Sequence, residues 1–192
     1  MPAPSTFARR VAAIAEEQHR QFHLQHESDP QLSRQIQRYW EGIGLPFPGV
    51  ATAWSAVFVS WCMKSAGATA NEFKFSPAHA VFVNWAIKNA TAQTGLFRGF
   101  ELSTYAPNIG DIIQNNRGGT NFGFQFAKTH TQYQSHSAIV VETGQDGQGN
   151  YLLTVGGNES DSVGMKIVRL TATSFIKQRA TNPYICVIQN LK

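Results

Sequence analysis

The sequence is short of charge, of cysteine and of long apolar runs, and each shortage removes a class of protein. Charged residues make up 15% of the 192 residues against 42% hydrophobic ones, a balance that builds a core rather than a disordered chain. Its 2 cysteines, Cys62 and Cys186, exclude a disulfide-dense scaffold; they read either as one bridge in an oxidising compartment or, the preferred reading, as two small buried hydrophobes. No apolar run approaches the roughly 20 residues of a transmembrane helix, so no membrane span is expected. Met1 to Arg20 holds Arg9 and Arg10 but no continuous apolar core and no small-residue cleavage site, so no secretory leader is read there. The formal charge of +4 and pI near 9.2 are mildly basic. The basic residues are scattered, with no stripe or motif that would track nucleic acid. There is no internal repeat and no low-complexity tract. The length suits one domain, residues 1–192 with a core at about 5–190.

What is present divides in two. In the first half apolar residues recur at helical spacing. Ser5 caps a first predicted helix with Phe7, Val11, Ile14, Ala15, Gln18 and Phe22 on one face. Asp29-Pro30 opens a second, with Leu32, Ile36, Tyr39 and Trp40, stopped by Gly42 and Gly44. Ala53 to Gly67 is a third, apolar nearly all round and therefore internal. Ser76-Pro77 starts a fourth that reaches about Asn89. From Leu96 the period turns to alternation. Strands are predicted at Ile112–Gln114, His136–Glu142, Tyr151–Val155, Met165–Leu170 and Tyr184–Gln189, with a short helix across Thr171–Gln178. Gly144 to Asn150 reads as a turn. Asn115 to Gln134 reads as a long polar loop, whose Phe122, Phe124 and Phe126 form either a cleft wall or the loop's own small core. Helices first and strands afterwards predict an α+β fold, N-terminal helices packed on a C-terminal antiparallel β-sheet.

Ser55, in the first turn of the third helix, has two readings. Its hydroxyl either satisfies a free backbone N–H, or it attacks a carbonyl whose oxyanion the first-turn N–H groups and the helix dipole stabilise. Cys62 is no substitute nucleophile, because seven residues on it lies about 10 Å deeper at 1.5 Å per residue. His19, His23 and His26 recur at i, i+4 and i+7, a spacing able to hold a metal. No carboxylate or cysteine motif accompanies them, so they read as solvated and no metal or cofactor is expected.

The run from Trp54 to Trp61 resembles the nucleophile helix of the NlpC/P60 and CHAP cell-wall hydrolases, papain-like bacterial enzymes with the pattern Trp-Cys-Ala-x-Phe-Val-x-Trp. It is closer still to the bacterial family catalogued as domain of unknown function 2272, DUF2272, where Trp-Ser-Ala-x-Phe is usual. Ser76-Pro77-Ala78-His79, Ser135 to Glu142 and Gly156-Gly157-Asn158 to Val163 fit that family in order. The resemblance implies a papain-like, NlpC/P60-type fold with Ser55 as nucleophile and His136, at the start of a strand, as base. Asn158, after a Gly-Gly turn, would fix the imidazole tautomer, with Glu159 and Asp161 as rival orienting groups. Trp54, His79 and Gln114 are the implied substrate-binding residues, and Gln114 is a conceivable oxyanion donor beside the Ser55 N–H. Each partner keeps an ordinary reading: His79 as a helix-start residue packed beside the third helix, His136 as a strand-edge residue, Asn158 as a turn former.

The implied activity is a peptidoglycan-directed amidase or peptidase working through an acyl-enzyme. Ser55 stands where the hydrolases carry Cys, and a hydroxyl must lose its proton during attack instead of beforehand. Three explanations stay open: a genuine serine hydrolase, a non-catalytic cell-envelope or partner-binding module that retains the cleft, and an engineered replacement. Acyl transfer to an acceptor other than water is a further variant. A leaderless cell-wall enzyme implies export by a specialised secretion system as an antibacterial effector acting in the envelope, with an immunity protein to plug its cleft.

Overall fold

A computed structural model describes residues 3–192, and its first helix starts where the capping signal sits. The Ser5 hydroxyl accepts the Ala8 N–H at 3.0 Å and α1 runs Thr6–Phe22. It is followed by α2 (Pro30–Gly42), α3 (Ser55–Ser65) and α4 (His79–Ala92), then β1 (Phe97–Phe100), β2 (Ile112–Asn116), α5 (Phe124–Thr129), β3 (Ser135–Asp146), β4 (Gly149–Glu159), β5 (Ser162–Arg169) and β6 (Tyr184–Asn190). The fourth helix begins three residues later than its Ser-Pro signal. Ser76 Oγ takes the Ala78 N–H at 3.1 Å and holds a turn there, which leaves His79 as the first helical residue.

The six strands form one antiparallel sheet in the order β1-β6-β2-β3-β4-β5. Side chains alternate across it. Ile112, Ile139, Val155, Cys186 and Ile188 face the helices and join Val57, Phe58 and Met63 of α3 in the main core. Ile113, Val140, Leu152, Val168 and Val187 face the other way, under Leu170 and Ile176. The α+β reading therefore stands.

Gly156 and Gly157 lie inside β4, not in a turn. They are small because each face is crowded. A methyl at Gly157 would lie 2.5 Å from Phe58 Cβ and 2.6 Å from Trp54 Cζ3, so this glycine lets α3 settle on the sheet. One residue later the strand carries a β-bulge. Asn158 has φ 56, and the β5 register slips between Gly157 and Glu159. The extra residue returns Glu159 to the face of Gly156. Ser160 and Asp161, at φ 52 and 59, then make a two-residue hairpin turn.

Three expectations are corrected. The β3–β4 turn shrinks to Gly147-Gln148, because Asp146 already pairs with Gly149. Thr171–Gln178 is not helical: Ser174 has φ 65, Thr171 N–H bonds the Phe175 carbonyl, and Leu170 bridges Ile176. The long polar loop contains α5, and its aromatics stack on each other, Phe122 on Phe126 at 4.3 Å and Phe126 on His130 at 3.8 Å. Asn84 of α4 clamps that helix by donating to the Ala127 and Lys128 carbonyls.

Candidate active site

Two helix starts converge on one point. Ser55 is the first residue of α3 and His79 the first residue of α4. Ser55 Oγ lies 2.7 Å from His79 Nε2, and the residues are 3% and 6% exposed. Burial drives the His79 pKa well below the ordinary imidazole value, and the nearby charges of His136 and Arg117 push it the same way. A helix N-terminus also disfavours a cation. His79 is thus neutral at neutral pH and able to accept the Ser55 proton at Nε2. Its proton then sits on Nδ1, which is buried and meets no hydrogen-bond partner among the described residues. The pair opens on a cavity of about 370 Å³ lined also by Ala53, Arg117, Tyr133 and Ser135.

His136 stands elsewhere than the resemblance implied. It shares the strand face of Ala138 and Val140, whereas Ile139 and Val141 point to the helices. That parity puts its side chain on the far face of the sheet from α3. The two imidazoles still meet, with centroids 5.5 Å apart and planes at 60°. His136 Nε2 has Glu159 Oε1 at 2.7 Å, at an angle that makes a close polar contact and not an aligned hydrogen bond. Glu159 also pairs with Lys166. Burial alone would raise the Glu159 pKa, but His136 and Lys166 outweigh it and hold the carboxyl at about 2. Gly156 leaves room for this contact, since a methyl there would lie 2.8 Å from His136 Nε2.

Asn158 does not orient His136. The bulge turns it away, so that Oδ1 accepts from Arg117 at 3.3 Å and Nδ2 donates to Glu27 at 3.4 Å. Glu159 holds the position beside the imidazole instead. Asp161 faces His26 at 3.5 Å. Trp54 is fully buried and donates Nε1–H to Glu27 at 2.9 Å, so it is a core residue that positions Ser55. Gln114 is also fully buried, its amide donating to Tyr133 Oη at 3.1 Å and Ser135 Oγ at 3.0 Å. It supports the cavity wall from behind. His19 stacks on His23, and no group of three metal-ligating residues occurs among the described residues. Cys62 and Cys186 are free and buried.

Chemically, a hydroxyl hydrogen-bonded to a neutral imidazole at a helix start has a nucleophile, a base and a row of N–H groups with no helical acceptor. Glu27 and Arg117 are the residues that sequence reasoning missed. Each lies in a connecting segment, and only the fold brings them to Trp54 and Asn158. Comparison with family models matches residues 18–186 to the family described as "Uncharacterized protein conserved in bacteria (DUF2272)". No curated protein and no solved structure matches the chain.

Proposed function

The chain belongs to the DUF2272 family, and from that premise we propose that it is an acyl hydrolase whose nucleophile is Ser55 and whose general base is His79. The reading rests on the 2.7 Å contact between Ser55 Oγ and a His79 kept neutral by burial. Ser55 Oγ bonds to an amide or ester carbonyl carbon while His79 Nε2 takes its proton. The imidazolium then protonates the leaving nitrogen or oxygen, and water resolves the acyl-serine by the reverse sequence. The first-turn N–H groups of α3 meet the oxyanion. Imidazolium is costly at this buried position, so it forms only as the oxyanion forms beside it. His136 and Glu159 lie behind His79 and do not touch Ser55.

The substrate class we propose is a peptide or amide bond of peptidoglycan. The resemblance of the Trp54–Trp61 helix to the cell-wall hydrolases is what supports it. Delivery as an antibacterial effector, with an immunity protein over the Ser55 cavity, is the corresponding biological setting. The test is mass spectrometry of purified muropeptides incubated with wild type, Ser55→Ala and His79→Ala. A fragment made only by wild type supports the reading; a fragment made equally by either variant removes it. A second reading, a non-catalytic envelope or partner-binding module, is favoured by the lack of an acceptor for His79 Nδ1 among the described residues. It predicts saturable binding to the same muropeptides with no product.

A further inference from the structure

A second cavity, on the far face of the sheet, takes no part in the Ser55–His79 pair. Its volume of about 440 Å³ is that of a small-molecule site. Three cations from separate segments meet at it: Arg117 after β2, Lys166 of β5 and Arg179 before β6. Glu159 neutralises Lys166. Neither arginine meets a carboxylate among the described residues. Arg117 donates to Asn158 Oδ1 at 3.3 Å and Arg179 to the Asn182 carbonyl at 3.0 Å, both neutral oxygens. Arg179 is also held in place over the Tyr184 ring, 4.4 Å from its centroid.

The cavity wall supplies an independent sign of a ligand. His136 lines it, is 5% exposed, and its buried Nδ1 has no hydrogen-bond partner among the described residues. Such orphaned buried groups are rare in folded proteins. Glu159 lines the same cavity, but its two oxygens face His136 and Lys166, so its charge is compensated. Two guanidiniums without counter-ions, beside a polar histidine, match the planar oxygens of a carboxylate or the oxygens of a phosphate.

The geometry points to this cavity as a binding site for a small organic anion, a carboxylate or a phosphate ester, clasped by Arg117 and Arg179 with His136 at its wall. Arg117 borders both cavities, whereas Ser55 and His79 line only the other one. Its test is an NMR titration of the whole protein at constant ionic strength with inorganic phosphate, succinate and, as neutral control, glucose. Saturable shifts at the Arg117 and Arg179 Nε–H and His136 ring signals are expected with phosphate or succinate and not with glucose, and the tighter of the two identifies the anion class. Arg117→Gln and Arg179→Gln should each weaken binding about tenfold or more, the loss of one charge-assisted hydrogen bond. Lys74→Gln, at an exposed position, should leave it unchanged. Ser55→Ala should bind as wild type, which separates this site's failure from failure of the hydrolase reading. Shifts that do not saturate, that glucose reproduces, or that survive both arginine substitutions overturn the proposal.

Discussion

Gly157→Ala tests how α3 is held against the sheet. The backbone there is not in the left-handed region, so the new methyl is opposed by space alone. It would stand 2.5 Å from Phe58 Cβ and 2.6 Å from Trp54 Cζ3, about 1 Å inside an ordinary carbon contact. Both neighbours are fully buried. Phe58 Cβ is fixed to its backbone and no rotamer moves it, so the helix itself must lift. Overpacking of this kind costs about 1–3 kcal/mol, and the reduced freedom of the unfolded chain returns about 0.4–1 kcal/mol. The net cost is about 0–2.6 kcal/mol, and at about 2–4 °C per kcal/mol for a domain of this size the melting temperature should fall by up to about 10 °C. Because Trp54 precedes Ser55, the lift also draws Oγ from His79, and a displacement near 1 Å lowers reactivity about a hundredfold. Calorimetry and the rate of Ser55 modification by a serine-directed phosphonate read the two effects. Gly147→Ala, where a methyl meets nothing within 4 Å, is the control. An unchanged melting temperature together with unchanged reactivity in Gly157→Ala would refute the seating of α3 described above.

Three further outcomes follow from the same geometry. The folded-state pKa of His79 is depressed by burial, so below about pH 6.5, the ordinary imidazole value, the unfolded chain takes up a proton that the folded chain refuses. Stability should therefore fall with decreasing pH, by up to about 1.4 kcal/mol per unit, until the folded pKa is passed; a denaturation series in which wild type and His79→Asn show the same slope would contradict it. The same depression should place the acid limb of Ser55 reactivity below that of an unshifted histidine. Gly156→Ala places its methyl 2.8 Å from His136 Nε2 and 3.2 Å from Glu159 Oε1. These are side-chain ends, so the imidazole should turn away, shifting the His136 ring resonances while Ser55 modification is unaffected; a matching loss of Ser55 reactivity would show that His136 acts on the serine.

The helical half was legible residue by residue, since Ser5, Asp29-Pro30 and the apolar spacing of α1 to α3 are local signals. Five of the six strands were legible from alternation, and β1 (Phe97–Phe100) was not. Local pattern failed where a single residue changed the backbone. Ser174, in the left-handed region, turns Thr171–Gln178 away from helix, and Asn158 inserts a bulge that exchanges its own side chain for Glu159 beside His136. The site was legible in part. Ser55 follows from its helix start, but its partner does not, because the distance between two helix N-termini is a tertiary quantity. The strand face of His136 was present in the alternation with Ala138 and Val140, yet which face the helices cover is decided only by packing. Arg117, Lys166 and Arg179 look scattered along the chain, and the sheet gathers them at one cavity.

The most direct test of the central claim is mass-spectrometric mapping of a fluorophosphonate adduct on wild type, His79→Ala and His136→Ala, each first shown to be folded by circular dichroism. The Ser55–His79 assignment predicts a single adduct on Ser55 in wild type, its loss in His79→Ala and its retention in His136→Ala. An adduct that persists without His79, or that vanishes only without His136, would contradict it.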